Sequence, residues 1–185
     1  MQQPEHGRQR LQLGRTGTRF NGISRALGAV HLGRQCLQRC NGIRRVEIIV
    51  HGRLEGNALT DVEEIFVADA WSEDRFHYGG RMAFQGGYLF LTVGDRHHED
   101  RAQELTNHAG KLLRLHDDGR VPDDNPFIGR ENARAEIWSY GHRNAQGLVV
   151  DPATGELWLH EHGPLGGDEL NLVKRGANYG WPVVS

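Results

Sequence analysis

From residue 46 onward the chain is written in short apolar runs punctuated by glycine, proline and aspartate. Residues 46–50 form a compact β-like run, and residues 62–68 form a second extended stretch. Residues 81–84, the turn Gln85-Gly86-Gly87 and residues 88–93 make a hairpin closed by Gly94-Asp95. Residues 96–110 are polar and leave room for a short helix, and residues 111–116 alternate as a strand before the turn Asp117-Asp118-Gly119. Residues 121–126 are a loop rich in Pro and Asp. Residues 136–140 are a short alternating run. Residues 147–151, a turn with Asp151-Pro152 at its start and Gly155 at its end, and residues 157–161 make a second hairpin. In that last strand Leu157, Trp158 and Leu159 sit among polar partners, as in a half-buried strand.

The two hairpins repeat one another. Gly80, followed by residues 81–84 and 88–90, matches Gly147, followed by residues 148–151 and 157–159, at an offset of 147 − 80 = 67 residues. Three residues before each glycine lies a polar side chain, His77 in the first unit and Asn144 in the second. Repeated antiparallel hairpins of this period predict β-propeller blades with insertions, whose innermost strands converge on one axis. A β-sandwich accommodates the same strands but gives no reason for repeat-related polar positions.

Composition narrows the picture. In 185 residues, 37% are hydrophobic and 25 are glycine, which favours short strands and turns over helices. The net charge of −2 offers no basic field for nucleic acid or an anionic membrane. No run of about 18 apolar residues predicts a membrane-spanning helix, and no secretory signal peptide is readable at the start. Residues 1–45 stand apart: they are rich in Arg, Gln and Gly, and Glu5 is their only acid. A basic nucleic-acid arm is one reading, but Phe20 is the only aromatic available for base stacking. The expectation is a poorly ordered segment outside the fold, or a misread or truncated start, with an atypical region over residues 1–50 and the propeller-like domain over residues 51–185. Cys36 and Cys40 lack a second pair to complete a zinc site and read as ordinary thiols.

Three groups of residues carry candidate chemistry. His77 lies beside Gly79 and Gly80, and Asp95 ends the paired strand, where a carboxylate could hold the imidazole in one tautomer as a general base requires; a surface histidine beside a turn is the plain alternative. Arg143-Asn144 offers a planar cation and an amide for the carboxylates and carbonyls of a ligand, or a capped loop with an exposed Arg. Residues 161–169 are glycine-rich and acidic, a setting in which main-chain carbonyls and carboxylates suit a hard cation such as calcium, without the ladder of a helical calcium loop. His97, His98, His108 and His116 raise zinc, but no ligand spacing supports it.

At these residues the sequence resembles the soluble quinoprotein aldose (glucose/sorbosone) dehydrogenases. The resemblance is carried by His77-Tyr78-Gly79-Gly80-Arg81, Thr92-Val93-Gly94-Asp95, residues 110–115 and 118–126, residues 137–144, Glu161-His162-Gly163-Pro164, Asp168-Glu169-Leu170-Asn171 and Asn178-Tyr179-Gly180-Trp181-Pro182, in the family's order across roughly residues 53–185. It implies an all-β fold, a six-bladed β-propeller of which this chain would hold about half the blades.

The resemblance further implies an enzyme that oxidises the anomeric hydroxyl of an aldose to a lactone, with pyrroloquinoline quinone and calcium as cofactors. His77 resembles the catalytic base and Asp95 its orienting partner. Arg143 and Asn144 resemble residues that bind the quinone, Gly163 and Pro164 the pair whose carbonyls hold the catalytic calcium. Glu169 and Tyr179 fall where the family can bind a second, structural calcium. An aldose substrate, an external electron acceptor, a periplasmic or secreted location and a homodimer follow from the same likeness. The family's first blade and its later blades are not matched, so the expectation for the chain alone is little or no activity. The other readings are a non-catalytic propeller-type binding module or inactive fragment and, more remotely, a zinc hydrolase.

Overall fold

The computed structural model describes residues 29–39, 42–55 and 58–184, with side chains from residue 46 onward. Three antiparallel sheets follow one another along the chain. The first joins β1 (Ala29–Arg39), β2 (Gly42–Glu55) and β3 (Ala58–Val67). The second joins β4 (Gly79–Gln85), β5 (Tyr88–Val93), β6 (Lys111–His116) and β7 (Ile137–Tyr140), and the third joins β8 (Ala145–Val150), β9 (Leu157–Glu161) and β10 (Glu169–Leu172). In every sheet each strand pairs with its neighbour in sequence, the meander of a propeller blade. Among the described residues the only helical segment is a 3-10 turn, Glu99–Ala102, within the polar stretch where a short helix was expected.

Strand period two explains the stacking. In β5, Leu89, Leu91 and Val93 point to one side and join Ile48, Ile49 and Val50 of β2 in the main core. Phe90 points the other way, into a smaller cluster with Leu157 of β9 and Leu148 and Val150 of β8. In β6, Leu113 and Leu115 take the first side and Leu112 the second. The middle sheet is therefore covered on both faces, and its strands are nearly continuous in apolar character. Each fully buried aliphatic side chain among them, such as Leu89, Leu91, Leu112 and Leu113, contributes about 1.5–3 kcal/mol relative to exposure. The buried charged exceptions, both on β6, are Lys111, whose Nζ donates to the carbonyls of Arg101, Ala102 and Ala109, and Arg114, which stacks on Tyr88 and Trp138, 3.6 and 4.7 Å from their ring centres, and pairs with Asp124 at 2.8 Å.

The repeat read from the sequence extends to the backbone. The β4–β5 pairing carries an irregularity between Gly79 and Met82, and the β8–β9 pairing carries one between Ala145 and Gly147. Strands β4 and β8 lie side by side, bridged by Arg81 Nε donating to the Gln146 carbonyl at 2.6 Å. The residues that precede them, His77 and Asn144, are thereby brought to the same end of adjoining blades.

The composition-based boundary at residue 50 differs from the structure. Strand β2 runs across it, and residues 46–50 are fully buried. The Arg- and Gln-rich part of that region from Ala29 pairs as β1, because backbone hydrogen bonds to β2 do not depend on apolar side chains. The expectation of poor order for residues 1–28, and the reading of Cys36 and Cys40 as thiols, lie outside the described residues and side chains.

Candidate active site

His77 and Asp95 meet as a dyad. His77 Nδ1 lies 2.7 Å from Asp95 Oδ1, and both side chains are largely buried. The same Oδ1 accepts the His97 main-chain N–H at 2.9 Å, and Oδ2 accepts the Trp181 indole N–H at 2.8 Å. Burial on its own would raise the Asp95 carboxyl. The His77 hydrogen bond, the His97 and Trp181 donors and the charge of His77 outweigh it and hold the carboxyl below its usual range. An ionised, fully hydrogen-bonded Asp95 favours the neutral His77 tautomer with its proton on Nδ1 and its lone pair on Nε2.

The backbone around the dyad is forced. His77, Arg96 and His97 adopt φ of 55°, 65° and 60°, the left-handed region that side-chain-bearing residues seldom occupy. Gly94 has no alternative: a Cβ there would collide with the His77 carbonyl. Arg96, wholly buried, ties the segment down. It donates to the carbonyls of Ala70 at 3.1 Å, His77 at 2.5 Å and Gly94 at 3.0 Å, and pairs with Glu47 of β2.

Arg143 and Asn144 occupy the turn from β7 into β8. The Glu161 carboxylate at the end of β9 organises that turn: Oε2 accepts the N–H of Arg143 at 2.6 Å and of Asn144 at 3.1 Å, while Oε1 pairs with His142 Nδ1 at 2.9 Å. Burial alone would raise Glu161, but the His142 hydrogen bond and charge and the two amide donors hold it below the usual carboxylate range. His142 Nε2 meets Ser139 Oγ at 2.9 Å; both are buried, so this Ser-His-Glu row is a brace without access to a substrate. Asn144 Oδ1 accepts from the Gly79 N–H at 3.0 Å, and the Arg143 carbonyl accepts from the Asp95 N–H at 2.9 Å. The two halves of the site are therefore joined through backbone.

The Arg143 guanidinium lies over the Trp181 ring, 5.4 Å from its centre, and reaches the His162 carbonyl at 3.2 Å. Its Nε is buried with no hydrogen-bond partner. A pocket opens beside it, lined by Arg143, Glu161, Gly163, Pro164, Glu169 and Trp181 among others. A Cβ on Gly163 would collide with the Gly166 carbonyl, so the loop of residues 163–167 closes this tightly only with glycine there. Glu169 lines this pocket, and its carboxylate accepts from Asn171 at 2.8 Å. Tyr179 does not line it: its ring stacks on His142 at 4.7 Å, and its hydroxyl bonds the Leu172 carbonyl and the Lys174 N–H. Among the described residues no group of three or more His, Cys, Asp or Glu side chains could hold a metal, so a zinc centre built from side chains finds no support.

A glucose/sorbosone dehydrogenase family model matches residues 37–185. The chain belongs to that family. The family member from Escherichia coli, an aldose sugar dehydrogenase, is 48% identical over 138 residues, which cover 73% of this chain and 37% of that protein. A crystal structure of a glucose dehydrogenase superposes with a TM-score of 0.77 at 41% identity, over 83% of this chain and 44% of that one. An aldose sugar dehydrogenase from Streptomyces coelicolor, solved in its PQQ-bound form, gives a TM-score of 0.62 at 31% identity, over 84% and 45% of the two chains. The chain thus spans under half the length of these family members. The fold is all-β and of the propeller type, as the repeat predicted. No helix among the described residues is long and apolar enough to cross a membrane.

Three contributors were named in the sequence without the role they play here: Glu161 and Trp181 only within longer motifs, and His97 only among the histidines that raise zinc. Glu161 had a signal, because Leu157, Leu159 and Glu161 share one face of β9, and an acid on an apolar face needs buried partners. Trp181 had none, since its partner Asp95 is 86 positions away.

Proposed function

We propose that this chain carries the base and part of the cofactor pocket of an aldose dehydrogenase that uses pyrroloquinoline quinone and calcium. The observation that carries the reading is the Asp95–Trp181–Arg143 connection, which links the carboxylate that holds His77 to a pocket with an unused buried cation donor.

The residues present fit both groups. The quinone is a planar tricarboxylate, and Arg143 Nε, buried and without a partner, is a donor suited to a carboxylate or carbonyl oxygen. The planar ring of Trp181 lines the same pocket. Calcium takes oxygen ligands, and Gly163, Pro164 and Glu169, which line that pocket, would offer it main-chain carbonyls and a carboxylate. A second calcium would use the Glu169 and Tyr179 positions through their main chain, because the Tyr179 hydroxyl is already engaged. When bound, the quinone supplies a two-electron acceptor and calcium the Lewis acid that polarises it.

His77 Nε2 takes the proton of the anomeric hydroxyl, and the negative charge gathering on that oxygen favours loss of hydride from C1, giving the lactone. Asp95 stabilises the resulting imidazolium through Nδ1–H. Asn144 and Gly79 fix the adjoining backbone, and Arg143 holds the acceptor. An external electron acceptor and a periplasmic or secreted setting belong to the same reading.

Titration of the quinone with calcium, followed by tryptophan fluorescence, tests it. Arg143→Ala should weaken binding by about 10–100-fold, the worth of a buried charge-assisted hydrogen bond. Equal binding by both proteins would remove Arg143 from the pocket and with it the central support for the reading.

A further inference from the structure

The imidazole of His97 sits edge-on to that of His77. The ring centres are 4.0 Å apart, the planes cross at 90°, and the two Nε2 atoms are 3.0 Å apart. With His77 neutral and its Nδ1–H committed to Asp95 Oδ1, His77 Nε2 is the acceptor and the shared hydrogen belongs to His97 Nε2. His97 therefore covers the lone pair that the reaction needs. It is exposed, whereas the His77 side chain is only 12% exposed.

Two independent features hold His97 there. Its main chain is pinned by the N–H bond to Asp95 Oδ1, in a pair of consecutive left-handed residues with Arg96. Its ring stacks on Phe76, with centres 5.2 Å apart and planes 16° apart, and Phe76 is itself 60% exposed. The charged neighbours are occupied elsewhere. Arg96 bonds the His77 carbonyl and pairs with Glu47, and Asp74 lies 3.4 Å from His98. Strained backbone, a solvent-facing aromatic and a ring nitrogen aimed at the base together describe a side chain placed for the base rather than for the core.

We propose that His97 is a positioning residue for His77, an exposed imidazole that occupies the Nε2 lone pair and orients the ring until a sugar hydroxyl takes its place. The proposal rests on His77 being the base. It makes His97 a competitor of the substrate, so its hydrogen bond is broken at each binding event. Because a net hydrogen bond of this kind is worth roughly a two- to tenfold change in an equilibrium, removing the donor should lower the KM for the aldose by about that factor.

The test is nitrogen NMR of 15N-histidine-labelled protein, wild type against His97→Phe, His97→Ala and His97→Gln, with amide spectra to establish folding. Losing the donor in the Phe or Ala variant should move the His77 Nε2 resonance downfield, toward an unbonded imine nitrogen. The Gln variant, whose amide can donate, should bring it part of the way back. An unchanged His77 Nε2 resonance in all the variants overturns the proposal, as does a KM that rises in His97→Phe, which would make His97 a sugar ligand. Where the chain alone oxidises no aldose, the outcome expected of a partial propeller, the nitrogen resonance decides by itself whether His97 caps His77.

Discussion

Trp181 donates its indole N–H to Asp95 Oδ2 at 2.8 Å while the Arg143 guanidinium lies over the same ring. One side chain thus serves the carboxylate that holds His77 and the cation that lines the adjoining pocket. Trp181→Phe keeps most of the ring and removes the donor from a fully buried acceptor. It should cost about 1–3 kcal/mol of stability, read as a lower urea midpoint. The same variant should weaken quinone binding less than Arg143→Ala does, because the phenyl ring retains part of the cation–π contact.

Asp95 should also show in the pH dependence of stability. Its folded carboxyl is held below the ordinary value despite burial, chiefly by His77. Its contribution is therefore complete above the unfolded pKa of about 3.9 and is lost as pH falls through the lower folded value. Urea midpoints measured from about pH 6 down to about pH 3 should fall more steeply for wild type than for Asp95→Asn. Parallel curves would mean that Asp95 is not stabilised as an anion.

Glu161 acts on the pocket through backbone. Glu161→Gln retains the shape but removes the charge that gathers the N–H groups of Arg143 and Asn144 and the ring of His142. A charge-assisted hydrogen bond contributes about 1.5–3 kcal/mol, so quinone affinity should fall by roughly tenfold or more. Isothermal titration reads the loss directly.

The buried pair between Glu47 of β2 and Arg96 couples the first sheet to the site. Glu47→Gln removes the carboxylate charge from this pair, and breaking a buried pair in this way costs about 3–5 kcal/mol. Chemical denaturation should show that loss together with faster protease cleavage near residues 96–98.

Much of the fold was legible because the apolar runs of the middle sheet and the alternation of β9 are bounded by clear turns. The bounds of β5, β6 and β9 read from the sequence agree with the structure. Strand β10 was not read: it is an edge strand after a glycine-rich loop, and Leu170 on it is 70% exposed. Strand β1 was hidden by its Arg and Gln content. His77 and Asp95, and Arg143 and Asn144, were legible as motif residues flanking the repeated hairpins. What joins them was not, since the bonds of Trp181, Glu161 and Gly79 span long separations that no local pattern records.

The central claim is that His77 is the base. Single-turnover reduction by an aldose, followed by absorbance in quinone- and calcium-loaded protein, tests it in wild type and His77→Ala. The account predicts that both proteins bind the quinone equally and that the variant reduces it about 10²–10⁴-fold more slowly. Equal rates in the two proteins would contradict it.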